Sequence, residues 1–290
     1  MKTLSVGLET YIKNNMDKLS LKYCIKHLTY NILMDLRFIN NFNEFLYYDT
    51  LIISIDKTYM NYDFPDFKIY YEILNNIIYL IRKSKKLTKV IFISSYGVYA
   101  EKEDGLYNEN DEIKPQDYVS SLFLTYENMI SVACKETEKN LVVMRLFNVY
   151  GIYQKKNYII TSLIEQFLNE DDKIFIGDTR KKRDYIYIKD FIRFLDLIMD
   201  KEFGNVETIY NFGSGQSYSI KEVISILENI TGIKKRLIFS PEKIRISADY
   251  DNVTVDNTKV KNEFNFHNEF DIYKGLEELV ELYSIYKEKK

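Results

Sequence analysis

Two hydroxyl-bearing residues between positions 89 and 118 could together move a proton. Ser95 closes an apolar run, KVIFIS followed by a second serine, that has the composition of a buried strand. Tyr118 follows Pro115, where a helix is expected to begin. A tyrosine can act as acid and base on a sugar or alcohol hydroxyl while a serine hydrogen-bonds the same oxygen. This spacing predicts a proton-transfer site built on Ser95 and Tyr118.

Alternating strands and helices in the first half of the chain would position these two residues. Continuous apolar runs of strand length indicate strands buried on both faces, and apolar residues three or four apart indicate helices. Strands are predicted at 3–6, 21–26, 49–55, 90–93 and 141–147, and helices at 9–18, 35–46, 68–82 and 118–138. The alternation predicts an α/β fold, a Rossmann-like, doubly wound parallel sheet whose ligands bind at the carboxyl ends of its strands.

The second half is predicted to form a smaller α/β part that binds the substrate. Helices are expected at 158–169, 190–200, 219–230 and 270–287, and strands at 173–178, 185–188, 208–215, 236–240 and 251–255. Ser219 and Glu222 have the spacing of a capping box at the third of these helices. The predicted domains are therefore 1–150 for a dinucleotide and 151–290 for a substrate, with some later segments returning to the first domain.

Composition excludes several classes of function. The chain of 290 residues has a net charge of -3, which gives no general attraction to nucleic acid or to an anionic membrane. It contains no apolar run of membrane-spanning length and no signal-peptide core. Its two cysteines fit a reducing compartment, so we expect a cytoplasmic protein. The only two histidines, His27 and His267, lack partners at zinc-binding spacing, and no metal site is predicted.

Ordered motifs resemble the extended short-chain dehydrogenase/reductase family, in particular its nucleotide-sugar epimerases, dehydratases and reductases. The motifs are ISSYGVY, KPQDYVSS, RLFNVYG, IGDTRKKRDYIYIKD, YNFGSGQSYSIKEV and PEKIRISADYDNVTVDNTKV. The similarity extends from about Lys89 to the C-terminus. Each motif alone is weak, whereas several in the right order are specific.

The resemblance implies a role for particular residues. Ser95 and Tyr118 would be catalytic, Gly7 would contact the cofactor NAD or NADP, and a nucleotide-diphosphate sugar would be the ligand. The residues implied to bind that sugar nucleotide are Asn148, Phe175, Arg183 and Arg245. Two guanidinium groups suit a diphosphate because they form charge-assisted, often bidentate hydrogen bonds. Relatives of this type often dimerise through helices like those at 68–86 and 118–138, so a homodimer is expected.

Two motifs depart from the family pattern. The family's YxxxK motif reads Tyr118-Val-Ser-Ser-Leu122 here, so no lysine lies one helical turn after the tyrosine. A free tyrosine has a pKa of about 10, and a nearby cation normally lowers it. The GxxGxxG turn retains only Gly7, with Thr10 and Lys13 at the other two glycine positions.

These observations leave three hypotheses open. The first is an NAD(P)-dependent epimerase or reductase of nucleotide sugars. The second is a non-catalytic relative, a pseudoenzyme that binds a nucleotide sugar or a protein partner. The third is an interaction protein on the same fold that binds neither ligand, and the fold alone cannot decide among them.

Overall fold

A computed structural model describes residues 1–29, 42–55, 67–204, 207–243 and 250–288. The chain divides into two compact units. The first contains residues 1–99, 113–145 and 198–210, and the second contains 100–112, 146–197 and 211–290. The division into domains 1–150 and 151–290 stays a prediction.

The strands lie in chain order as follows: β1 (Thr3–Val6), β2 (Ile25–Leu28), β3 (Thr50–Ser54), β4 (Lys89–Ser95), β5 (Leu106–Tyr107), β6 (Asn140–Leu146), β7 (Asn148–Tyr150), β8 (Lys173–Ile176), β9 (Lys182–Tyr187), β10 (Glu207–Phe212), β11 (Ser217–Ser219), β12 (Arg236–Phe239) and β13 (Asn252–Val255). The α-helices are α1 (Thr10–Asn14), α2 (Asp17–Lys22), α3 (Phe67–Lys83), α4 (Tyr118–Glu136), α5 (Ile159–Leu168), α6 (Ile188–Asp200), α7 (Ile220–Thr231), α8 (Thr258–Phe264) and α9 (Ile272–Glu288). Among these described helices, none is long and apolar enough to cross a bilayer.

The first unit is organised around a six-stranded sheet in the order β10-β6-β4-β3-β1-β2. Strands β2, β1, β3 and β4 pair in parallel. The apolar side chains of β3 and β4 are almost entirely buried, as continuous apolar strands require when helices cover both faces. The predicted Rossmann-like α/β fold is confirmed.

The start of the chain differs from the prediction. The single helix expected at 9–18 is two short helices, α1 and α2, and the second runs on to Lys22. Strand β2 consequently begins only at Ile25, after Cys24 has turned the chain with a φ of 47°. The helix predicted at 35–46 lies mostly outside the described residues; Phe42–Tyr47 form a 3-10 helix.

The second unit contains two smaller sheets. One has the order β11-β9-β13-β5, with β7 also paired to β9, and the other joins β12 to β8. Strands β5, β7 and β11 are two or three residues long, too short to show a period, and the sequence did not reveal them. The predicted capping box is confirmed, because Ser219 accepts a hydrogen bond from the Glu222 amide while the Glu222 carboxylate accepts one from the Ser219 amide.

Candidate active site

Gly7 and Ser95 lie at the same edge of the first unit's sheet. Gly7 follows β1, Ser95 closes β4, and both strands pair in parallel with β3 between them. Two strand spacings separate them by about 10 Å. The chain runs from β1 to β2 on one side and then to β3 on the other, so a topological switch point lies between β1 and β3. Open α/β sheets bind their ligands at such a point.

Ser95 forms the end of its strand and the start of a tight turn. Its hydroxyl oxygen accepts a hydrogen bond of 3.2 Å from the Gly97 amide and thereby caps the 3-10 helix Tyr96–Val98. The side chain is partly exposed. Because a hydroxyl both accepts and donates, Ser95 can still donate its proton to a substrate oxygen.

Tyr118 is the first residue of α4 and is accessible. The Asp117 carboxylate caps this helix by accepting a hydrogen bond of 2.7 Å from the Ser120 amide. The Tyr118 side chain is 69% exposed, and its ring lies edge-on to Phe67 with 5.9 Å between the ring centroids. A substrate hydroxyl could therefore reach the phenol.

Gly97 lets the turn that contains Ser95 and the 3-10 helix Tyr96–Val98, which we name the Ser95 turn, pack against the first turn of α4. A Cβ at position 97 would collide with the Ser120 hydroxyl oxygen and lie 3.3 Å from the Ser120 Cβ and 3.6 Å from the Ser95 hydroxyl oxygen. The absence of a side chain thus permits close approach of the helix that carries Tyr118. The structure in this way brings the surroundings of the two predicted catalytic residues together.

Leu122, one turn after Tyr118, belongs to the core. Its side chain is 2% exposed, and Phe123 and Tyr126 beside it on α4 are buried as well. Position 122 therefore supplies neither a charge nor a hydrogen bond.

A buried polar cluster lies behind the Ser95 turn, which we name the turn cluster: Ser94, Tyr99, Glu127 and Arg145. Each of these residues is at most 4% exposed. The Ser94 hydroxyl donates to Glu127 Oε1 at 2.5 Å, and Arg145 donates to both Glu127 oxygens at 3.1 and 2.7 Å. Arg145 Nη1 also donates to the Tyr99 hydroxyl at 2.9 Å.

The Arg145 guanidinium keeps its charge despite its burial. Burial alone would lower the pKa of the Arg145 guanidinium, but the hydrogen bonds and charge of Glu127, with help from Tyr99, raise it overall. Sequence reasoning missed Glu127 and Arg145. The available signal was an arginine inside the apolar strand LVVMRLF, because a charge there needs a buried partner.

Gly7 gives the first turn one backbone feature that dinucleotide sites use. Gly7 is buried with a φ of 70°, a left-handed conformation that glycine adopts without strain, at the switch point of the sheet. Backbone can approach a pyrophosphate closely at such a residue. Helix α1 follows with Glu9 as its N-cap, without a side-chain capping hydrogen bond, and with Thr10 exposed. This turn differs from a glycine-rich turn in the side chains that it carries at positions 9, 10 and 13.

Asn148 and Arg183 lie on neighbouring strands of the second unit. Strand β7 pairs with β9 so that Asn148 is opposite Tyr185, and the Asn148 amide donates to the Asp184 carbonyl at 3.3 Å. Arg183 is partly exposed, and its Nη1 donates to the Lys182 carbonyl at 2.8 Å. These two predicted substrate residues are therefore close along the sheet.

Asp184, which the sequence did not single out, orders the loop beside them. Its fully buried carboxylate accepts four hydrogen bonds, from the Ser214 amide and hydroxyl, the Gly215 amide and the Val255 amide. Burial raises the pKa of Asp184 to about 6, although these four donors act in the opposite direction. The aspartate ties β9 to the 214–215 turn and to β13.

Of the other two predicted substrate residues, Phe175 is described. Phe175 is 39% exposed on β8, in the two-stranded sheet rather than in the sheet of Arg183, and its amide donates to Gln166 Oε1 at 2.8 Å. Arg245 lies outside the described residues. Within the described part of the chain, no three His, Cys, Asp or Glu side chains are grouped to hold a metal ion.

Comparison with known proteins places the chain in a family. A family model described as NAD dependent epimerase/dehydratase family matches residues 53–213, more than half of the chain. The chain belongs to the NAD-dependent epimerase/dehydratase family. This confirms the resemblance to extended short-chain dehydrogenases/reductases that modify nucleotide sugars.

Two curated relatives in the epimerase/dehydratase family align with this chain over only part of their own length. An uncharacterised UDP-glucose epimerase of Bacillus subtilis is 29% identical over 198 residues, 68% of this chain and 61% of the relative. A dTDP-4-dehydro-6-deoxyglucose reductase of Escherichia coli is 32% identical over 144 residues, 48% of this chain and 45% of the relative. The matches thus span 45% to 61% of these relatives, less than two thirds of either.

Solved structures of similar fold align with nearly the whole of this chain. The UDP-glucuronic acid 4-epimerase of Bacillus cereus, in complex with UDP-glucuronic acid and NAD, has a TM-score of 0.84 at 22% identity and covers 99% of this chain and 100% of its own. The UDP-glucose 4-epimerase of Thermus thermophilus, in complex with NAD, has a TM-score of 0.79 at 18% identity, with 98% and 99% covered. At these identities the likeness shows the fold.

Proposed function

We propose that the protein is an NAD(P)-dependent enzyme that acts on a nucleoside-diphosphate sugar, as an epimerase or a reductase. The observation that carries this proposal is the turn of Ser95 docked through Gly97 onto the helix that begins with the accessible Tyr118. Relatives named as UDP-glucose epimerase and dTDP-sugar reductase support the same class of substrate.

In the proposed chemistry, Tyr118 exchanges a proton with a hydroxyl of the sugar. In the oxidative direction the phenolate oxygen would accept the hydroxyl proton as the sugar carbon is oxidised to a ketone, and the phenol would return it when the ketone is reduced. Ser95 would donate a hydrogen bond to the same sugar oxygen and stabilise its developing negative charge.

A nicotinamide cofactor, when bound, would accept the hydride from the sugar carbon or supply it. Gly7 and the carboxyl ends of β1 and β3 would hold its pyrophosphate by backbone contacts.

The residues that the resemblance singles out for the substrate would bind its nucleotide part. Arg183, and by resemblance Arg245, would pair with the diphosphate, Asn148 would hydrogen-bond it or the sugar, and the exposed ring of Phe175 would stack on the base. Asn148 and Arg183 already lie on adjacent strands, as one ligand would require.

A second candidate is a pseudoenzyme that binds a nucleotide sugar, or a protein partner, without turning it over. The observation that favours it is the burial of Leu122, because no cation lies on α4 where one would promote ionisation of Tyr118. This candidate predicts binding of the nucleotide sugar without conversion.

Calorimetry with a panel of UDP-, dTDP- and GDP-sugars tests the shared part of both candidates. Arg183→Ala is expected to raise the dissociation constant about tenfold or more, since a charge-assisted contact with the diphosphate is lost. Arg180→Ala is the matched control, because Arg180 lies three residues away, is 87% exposed and pairs with Asp178. Equal effects of the two substitutions would refute the assignment of Arg183.

A further inference from the structure

We propose that the turn cluster positions Ser95 against Tyr118, with Ser94 and Tyr99 as positioning residues on either side of the turn. The proposal rests on the proposed function, since the purpose of this alignment is to let both hydroxyls meet one sugar oxygen. It assigns a role to residues that touch neither substrate nor cofactor.

Both ends of the Ser95 turn are tied to the same ion pair. Ser94 precedes Ser95 and donates to Glu127, whereas Tyr99 follows the 3-10 helix and accepts from Arg145. Arg145 also lies over the Tyr99 ring, 4.9 Å from its centroid. Glu127 belongs to α4, the helix that begins at Tyr118, so the turn and the tyrosine share one rigid support.

The cluster suits alignment better than simple stabilisation. A buried ion pair contributes little net stability because both charges lose their hydration, but its directional hydrogen bonds permit only one arrangement. Here Arg145 donates two hydrogen bonds to Glu127, and the other two members of the cluster, Ser94 and Tyr99, flank the Ser95 turn. A shift of about 1 Å between reacting groups can reduce a rate about a hundredfold.

Ser94→Ala tests the proposal without exposing an unpaired charge, because the Glu127–Arg145 pair remains. We expect kcat for the sugar nucleotide to fall about 10- to 100-fold while KM changes less than about twofold. The control is Ser131→Ala, which removes a hydroxyl on the same helix that donates to Glu207 at 2.5 Å, away from the turn. Unchanged kcat in an active Ser94→Ala variant would overturn the proposal.

Hydrogen–deuterium exchange gives a readout that needs no turnover. In Ser94→Ala, and in Tyr99→Phe as a second variant, the amides of residues 96–99 are expected to exchange about tenfold faster, with β3 unchanged. The proposal would be overturned if exchange became faster throughout the first unit. It would also be overturned if the exchange rate at 96–99 did not increase. If the unsubstituted protein shows no conversion of any sugar nucleotide, the proposed activity fails while the exchange result still decides the role of the turn cluster.

Discussion

Tyr118 and Leu122 lie one helical turn apart and have opposite environments. Tyr118 is 69% exposed and Leu122 is 2% exposed. The sequence predicted the place of both residues, because the motif spacing marks them. It could not predict that Leu122 would be part of the core, since burial depends on strands and helices brought together from the rest of the chain.

The burial of Leu122 gives a test at the residue scale. Leu122→Lys is expected to lower the free energy of unfolding by about 3 kcal/mol or more, since it places an unpaired ammonium in an apolar environment. Leu122→Met, which keeps the volume, should cost less than about 1.5 kcal/mol. Urea unfolding measures both. If the lysine were tolerated as well as methionine, position 122 would open onto solvent or a ligand crevice rather than the core.

Asp184 should make stability depend on pH. The pKa of its carboxyl is raised from 3.8 to about 6 in the folded protein, so the folded state binds this proton more tightly than the unfolded state. Its contribution to stability is therefore complete below about pH 4 and is lost as the pH rises through about 6.

The difference in unfolding free energy between the unsubstituted protein and Asp184→Asn isolates this titration. Between pH 4 and pH 7, we expect the unsubstituted protein to lose about 2–3 kcal/mol of unfolding free energy relative to Asp184→Asn. A flat difference would mean that the four donors around Asp184 hold the pKa of the folded carboxyl at its ordinary value.

At the scale of elements, the contact between Gly97 and α4 joins the two halves of the candidate active site. Gly97→Ala is expected to reduce both stability and turnover, because the new methyl group would collide with the Ser120 hydroxyl oxygen. Ser120→Ala removes that oxygen and should partly restore both properties in the double variant. Gly204→Ala is the control, because a Cβ there meets nothing within 4 Å. An active, stable Gly97→Ala protein would refute close docking of the turn on the helix.

Helices and strands of ordinary length were largely predictable, and short ones were not. The periodicity that indicates α3, or the apolar run that indicates β3, is read directly from neighbouring residues. Strands β5 and β7 exist only because a partner strand from a distant part of the chain lies beside them. The Ser219–Glu222 capping box was predictable because its signal is confined to four residues.

At the scale of the whole molecule, the Rossmann-like sheet and the family were accessible from sequence, but the turn cluster was not. Glu127 and Arg145 are 18 residues apart and meet only when α4 lies against the sheet that contains β6. The homodimer, the roles of all the predicted site residues and the nature of the sugar stay predictions. Because the matched segments span only part of the curated relatives, activity must be measured on this chain itself.

The most direct measurement is conversion of nucleoside-diphosphate sugars, with NAD or NADP supplied in the oxidised form for epimerisation and in the reduced form for reduction, followed by NMR of the sugar. We expect one substrate either to invert its configuration at a hydroxyl-bearing carbon or to have a carbonyl carbon reduced to an alcohol. Tyr118→Phe should reduce this rate by about a hundredfold or more, whereas Tyr273→Phe, at another exposed tyrosine, should leave it unchanged. An equal rate in Tyr118→Phe would contradict the role of Tyr118, and binding without any conversion would identify a pseudoenzyme.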